Sequence, residues 1–123
     1  MDIKTFQELS KRTMPKIGTT VNIDGDNTVL SRAMVAANYA IGLSGEAGET
    51  SDYIKKVIFH GHPFDRDKLV KELGDIMHYA SGVATLFNID MEEVLDKNIE
   101  KLQKRYPNGF TQEDSIKRVD TKN

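Results

Sequence analysis

From about Val29 to Phe59 apolar residues recur at helical spacing, and a single period sustained that long is the signature of a long helix. Leu43, Ala47 and Ile54 define one face, which Val57 and Ile58 continue. His60-Gly61-His62-Pro63 ends the stretch. Asp65 or Asp67 opens a second helix with Leu69, Leu73, Ile76, Ala80, Val83 and Phe87 on its core face, and Asn88 and Ile89 break it. Asp90, with Glu93 three residues on, forms a capping box for a last long helix to Tyr106, with Val94, Leu95, Ile99 and Leu102 inward. Pro107-Asn108-Gly109 stops it. Near the start, Asp2 caps a short helix to about Thr13 built on Ile3, Phe6 and Leu9. Pro15, Gly18 and Asp24-Gly25-Asp26-Asn27 then mark a loop; a small hairpin of Val21, Ile23 and Val29 around Asp24-Gly25 is the alternative. The expected fold is all-α, a bundle of about four helices in residues 1–110, followed by a polar, flexible tail over 111–123. Each long helix carries a wide apolar arc, more than one layer of helices can cover, so the bundle is expected to be completed by oligomerisation.

The chain has 123 residues, enough for one domain. Its net charge of −2 argues against a general nucleic-acid surface. There is no cysteine, which excludes disulfides and thiolate zinc sites. No stretch approaches the roughly 18 apolar residues of a membrane helix, and the first residues lack the apolar core of a signal peptide. The expectation is a cytoplasmic protein without membrane or nucleic-acid partners.

Four acids sit where solvated acids do not. Glu46 and Glu49 lie on one helix, Glu72 and Asp75 on the next, each pair at i, i+3, so both carboxylates of a pair can reach one ion. On the helical wheel Glu72 falls inside the apolar arc near Ile76, with Asp75 at its edge; Glu46 falls between Leu43 and the Tyr53/Val35 stripe, with Glu49 at the edge. A buried carboxylate without a partner costs several kcal/mol (about that much even after relaxation), so a cation belongs between these helices. Lys55 and Lys56 are near enough to serve. Four converging carboxylates suit a hard divalent ion better, and Mg²⁺ accepts carboxylates while keeping positions for water and phosphate. The lack of cysteine, and of histidine at matching spacing, disfavours zinc.

Gly42, Gly45 and Gly48 interrupt the same helix, at about 1 kcal/mol each against alanine. They make sense where another backbone or a ligand comes close. On the last helix Asn98, Lys101 and Arg105 form one stripe that can face phosphates; a solvated basic edge at the helix C-terminus is the alternative, above all for Lys101. His60 and His62 read as loop residues, His78 as partly exposed and turned away from Glu72, and Tyr39, Tyr53 and Tyr79 as core.

Gly42-Leu43-Ser44-Gly45-Glu46-Ala47-Gly48-Glu49, Asp52, Ile54, Lys55 and Lys56, then Glu72-Leu73-Gly74-Asp75, then Asn98-Ile99, Lys101-Leu102 and Lys104-Arg105-Tyr106-Pro107 resemble the MazG-like nucleotide pyrophosphohydrolases of the all-α NTP pyrophosphatase superfamily. The resemblance spans about residues 30–110. It implies a helical bundle assembled as a homodimer or homotetramer. Glu46, Glu49, Glu72 and Asp75 would be Mg²⁺ ligands, with Mn²⁺ a substitute, and Lys55 or Lys56 together with Asn98, Lys101 and Arg105 would hold phosphates. The implied reaction is hydrolysis of a (deoxy)nucleoside triphosphate between its α- and β-phosphates. Water attacks the α-phosphorus in line, Glu46 or Glu49 orients or deprotonates it, and pyrophosphate leaves. The alternatives are an enzyme of the same fold with a narrow biosynthetic substrate, such as phosphoribosyl-ATP, or a non-catalytic nucleotide-binding module. Position 78, where the resemblance leads one to expect a large aromatic such as tryptophan, is His78, and the loop from Pro15 to Thr28 matches no family motif.

Overall fold

A computed structural model describes residues 1–121. In chain order the elements are α1 (Ile3–Ser10), a 3-10 turn (Lys11–Thr13), β1 (Thr20–Ile23), β2 (Asp26–Val29), α2 (Arg32–His60), α3 (Arg66–Leu86), α4 (Met91–Arg105), α5 (Gln112–Lys117) and a last 3-10 turn (Val119–Thr121). The fold is all-α with one two-stranded ornament. Side chains start the helices: Asp2 accepts from the Thr5 N–H at 2.7 Å, Ser31 from Met34 at 3.2 Å, and Asp65 from Asp67 and Lys68 at 3.0 and 3.3 Å. Gly61 ends α2 in the left-handed region at φ 70°. Among the described residues no helix is long and apolar enough to cross a membrane.

Antiparallel α2 and α3 form the body of the molecule. Two close approaches set their separation. The Tyr39 ring lies against Gly82, and the Tyr79 ring against Gly42; a Cβ at either glycine would be driven into the ring. The glycines thus reserve the space that two aromatic rings fill. Gly42 therefore meets the expectation of close approach, whereas Gly45 and Gly48 have nothing within 4 Å of where a Cβ would stand. Beside this seam Val35, Tyr39 and Leu86 form the core, with Met14, Leu30, Ala36 and Val83 packed on it. His78 is half-buried, in keeping with the partly exposed position expected of it. Its Nδ1 lies 2.6 Å from Ser10 Oγ, and its ring lies 5.7 Å from that of Tyr39 and 5.1 Å from that of Tyr79.

Several expectations are corrected. The segment read as a loop holds the hairpin: Ile23 pairs with Asp26 across Asp24 (φ 48°) and Gly25 (φ 89°), the two positive φ values that a type I′ turn needs. The capping box of α4 is not made. Asp90 stands at the N-cap without a side-chain hydrogen bond, and the first helical N–H, that of Met91, donates to Gln7 Oε1 at 2.9 Å. Gln7 Nε2 also donates to Ile89 O and Thr85 Oγ1, so one side chain of α1 joins the end of α3 to the start of α4. At the same end of α3, Arg32 donates to Leu86 O and stacks on Phe87.

The tail expected as a loose extension carries α5 and turns back onto α4; residues 122 and 123 of that expected tail lie outside the described residues. The face of α4 expected inward is exposed, with Val94 and Leu95 at 41%, Ile99 at 53% and Leu102 at 36%. Leu73 on α3, Phe87 just after it, and Ala47, Ile54 and Ile58 on α2 are likewise exposed. Periodicity identifies which residues share a face; it does not say whether the same chain supplies the cover. The protomer exposes 9132 Å², against about 6,600 Å² for a compact monomer of this mass by the surface-to-mass scaling.

The glycine contacts are directly testable. Gly82→Ala is expected to cost about 1–3 kcal/mol in urea unfolding, the range for overpacking. Gly48→Ala, where the methyl enters open space, is expected to be neutral or to gain up to about 1 kcal/mol of helix propensity. Equal effects at the two positions would remove the Tyr39–Gly82 contact from the account.

Candidate metal centre

The antiparallel seam brings the two acidic motifs face to face. Carboxylate oxygens of Glu46, Glu72 and Asp75 lie within 4.8 Å of one another, a separation that one ion can span. Glu46 and Glu72 are half-buried and Asp75 is exposed, as the wheel positions require. Oε2 of Glu46 and Oε2 of Glu72 are both buried and have no hydrogen-bond partner. Buried acceptors are normally satisfied, so two unpartnered oxygens on facing helices mark a place where a cation could be held. Burial pushes the Glu46 carboxyl above its ordinary value, and the neighbouring charges of Glu49, Asp75 and Glu72 add to the shift. An all-oxygen donor set without nitrogen or sulfur suits Mg²⁺ or a similar hard ion.

Glu49 is exposed and stands outside the three-carboxylate cluster. With Glu72 it lines the near end of a cavity of about 510 Å³ that runs towards the α2–α3 connection. Tyr53 forms its floor. The buried Tyr53 hydroxyl accepts from the Asp65 N–H at 2.7 Å and donates to Asp65 O at 3.3 Å, clamping the start of α3 to α2. Lys56 and Lys68 line the walls, and the Lys68 ammonium sits 4.6 Å from the centre of the Tyr53 ring. His62 and Pro63, both exposed, line it at the α2–α3 connection. Asp52 binds Lys56 at 2.8 Å and Lys55 at 3.0 Å, and these hydrogen bonds hold its carboxyl down to about 2.

Of the two lysines expected to hold phosphates, Lys56 thus lines the cavity, whereas Lys55 does not. The α4 stripe is elsewhere. Asn98 and Lys101 line a separate groove with Glu93 and Val94. Arg105 does not present a free fork: its Nε and Nη2 bind Asp120 Oδ1 and Oδ2 at 2.6 and 2.7 Å, and the Asp120 side chain is 1% exposed. Arg105 holds the Asp120 carboxyl down to about 2. Within one protomer, then, Asn98, Lys101 and Arg105 are not brought to the acidic cluster's cavity. Lys68 and His62, absent from the expected set, are. Lys68 lies one turn before Glu72 on the same helix, a spacing visible in sequence; His62 reaches the cavity only through the fold of the connection.

The family model of the MazG nucleotide pyrophosphohydrolase domain matches residues 36–110, which include all four acids. The chain belongs to the MazG family. A 76-residue stretch is also 36% identical to the Gene 37 protein of Mycobacterium phage L5, covering 58% of this chain and 67% of the phage protein. No solved structure matches the chain significantly. The MazG match ends at Phe110, so α5 and the Asp120 clamp lie beyond the matched domain, as do α1 and the hairpin before it.

The raised Glu46 value gives a signed expectation. A carboxyl that binds its proton more tightly when folded contributes stability below its unfolded value of about 4.5, and that stability is lost as pH rises through the folded value. In chelator, Glu46→Gln is therefore expected to gain stability relative to the parent as pH rises from 4 to 7, measured by urea unfolding. Added Mg²⁺ is expected to reverse the order at pH 7. A stability difference independent of pH would mean that Glu46 is not crowded by the other acids.

Proposed function

We propose that the chain is a Mg²⁺-dependent nucleoside triphosphate pyrophosphohydrolase that cuts (deoxy)nucleoside triphosphates between the α- and β-phosphates, releasing the monophosphate and pyrophosphate. The observation that carries the reading is the pair of buried, unpartnered oxygens of Glu46 and Glu72 across the seam from each other. Membership in a nucleotide pyrophosphohydrolase family supports it. Glu46, Glu72 and Asp75 would hold the ion, with Glu49 at its edge and Mn²⁺ a substitute. When bound, the ion would neutralise phosphate charge and polarise the phosphorus–oxygen bonds.

The chain's own residues do the rest. Glu49 opens on the cavity, where its carboxylate can accept a hydrogen bond from water, aim it at the α-phosphorus and take its proton. The water oxygen bonds to phosphorus as the α–β bridging bond breaks, and that electron pair leaves with pyrophosphate. Lys56 and Lys68 line the path of the leaving group and offset its charge. The substrate is drawn from the cytoplasmic nucleotide pool.

The test is pyrophosphate release from a panel of nucleotides that includes phosphoribosyl-ATP. Glu72→Gln is expected to lower turnover by about a hundredfold or more, because metal charge stabilisation is worth several kcal/mol. Its circular dichroism should stay that of the parent. Activity within a factor of a few of the parent, or release of orthophosphate in place of pyrophosphate, would sink the assignment.

The active form in this proposal is a homodimer or homotetramer. The excess surface of about 2,500 Å² per protomer is of the size that obligate homodimers bury. The exposed Leu95, Ile99 and Leu102 of α4 are its natural centre, and a second copy offers the matching face. Light scattering at micromolar concentration should give at least twice the 13.8 kDa chain mass. A Leu95→Glu/Ile99→Glu variant should give a smaller particle. A 13.8 kDa particle from the parent chain would refute the assembly.

A further inference from the structure

We propose that His62 is a specificity-determining residue that reads the number of phosphates, holding the terminal phosphate of a nucleoside triphosphate at the far end of the cavity that begins at Glu49 and Glu72. The inference rests on the pyrophosphohydrolase reading, which puts the α-phosphate at the acidic end. The cavity then has a direction. Lys68 lies one turn of α3 from Glu72, about 6 Å along the axis, and Asp65 about 10 Å away, at 1.5 Å per residue. Past Asp65 the wall is the connection, where His62 lines the cavity. Groups that bind anions therefore occur in sequence: the metal cluster, then Lys56 and Lys68, then His62.

The electrostatics of the outer half favour a phosphate over a base. Asp52 is already neutralised by Lys55 and Lys56, and Asp65 is consumed as the N-cap of α3. Two lysines against one aspartate leave a positive charge over, so Lys56, Lys68 and the His62 imidazole are the donors lining the space. A nucleobase would need a free aromatic face. The Tyr53 ring is covered by Lys68, and its hydroxyl is spent on Asp65.

His62 is also well mounted. Its backbone N–H donates to Lys56 O at 3.1 Å, and the left-handed Gly61 before it fixes the turn, so the residue at the connection is tied to the residue that lines the wall. Among the described residues the imidazole itself makes no hydrogen bond, which leaves its ring N–H for a phosphate oxygen. On this ordering a diphosphate would meet Lys56 and Lys68, and only a third phosphate would meet His62.

The experiment is calorimetry with inorganic tripolyphosphate and with pyrophosphate, each in Mg²⁺, on the parent chain and on His62→Ala and His62→Gln. The parent should bind tripolyphosphate more tightly. His62→Ala should lose about tenfold of that affinity, the worth of one hydrogen bond to a charged group, and keep its pyrophosphate affinity within twofold. His62→Gln, which keeps an N–H, should recover part of the loss. In turnover, His62→Ala should raise KM for a nucleoside triphosphate by a similar factor, with kcat and the diphosphate parameters unchanged. Equal losses for both probes, no loss for tripolyphosphate, or a parent that does not prefer tripolyphosphate would overturn the role of His62. A parent that binds both probes in this order but hydrolyses no nucleotide would overturn the pyrophosphohydrolase reading and leave the subsite standing.

Discussion

Two tyrosine rings lying against two glycines determine how close α2 and α3 come, and everything downstream depends on that distance. Gly42 is one turn from Glu46, and Tyr79 is one turn from Asp75, so the contact that sets the seam is adjacent to the carboxylates that the seam brings together. Larger residues at Gly42 and Gly82 would push the helices apart. The three carboxylates would then separate, and each would reach water on its own. Close packing is here a condition for binding chemistry.

The site and the fold pull in opposite directions. Converging carboxylates repel, and burying the oxygens of Glu46 and Glu72 without partners adds a desolvation cost. The molecule contains this by tying the helices on both sides of the strain. At one end Val35, Tyr39 and Leu86 pack together while Arg32 donates to the carbonyl of Leu86, the last residue of α3. At the other, the Tyr53 hydroxyl holds the first turn of α3 through Asp65. Between the two ties the acids have little freedom to move apart, which is the preorganisation a metal site requires.

The acidic cluster was legible in sequence because helical geometry is periodic: i, i+3 spacing and the wheel position of Glu72 inside an apolar arc carry straight into three dimensions. The helices themselves were legible for the same reason. What escaped depended on contacts distant in sequence. Nothing local to Asp90 says that its side chain will leave the helix start uncapped, or that Gln7 will accept from the Met91 N–H. Nothing local to Arg105 says that Asp120, 15 residues on, will fill its guanidinium fork. The hairpin is signalled by Asp24-Gly25 and by the alternation of Val21 and Ile23, but strands of four residues are too short for a period of two to decide against a loop. His62 sits in a connection, where no period operates, and its place in the cavity follows from how α2 and α3 meet.

Gln7 has a consequence for how the chain reaches this state. Its side chain joins partners 78, 82 and 84 residues away, at Thr85, Ile89 and Met91. Contacts at such separations form only after a large loop has closed, and they come late in folding. During synthesis α1 leaves the ribosome well before α3 and α4, and must wait, with its apolar face uncovered, until both have emerged. The α2–α3 pair can zip from its own short connection in the meantime. α1 is thus the clasp, made before the helices it joins and fastened after them.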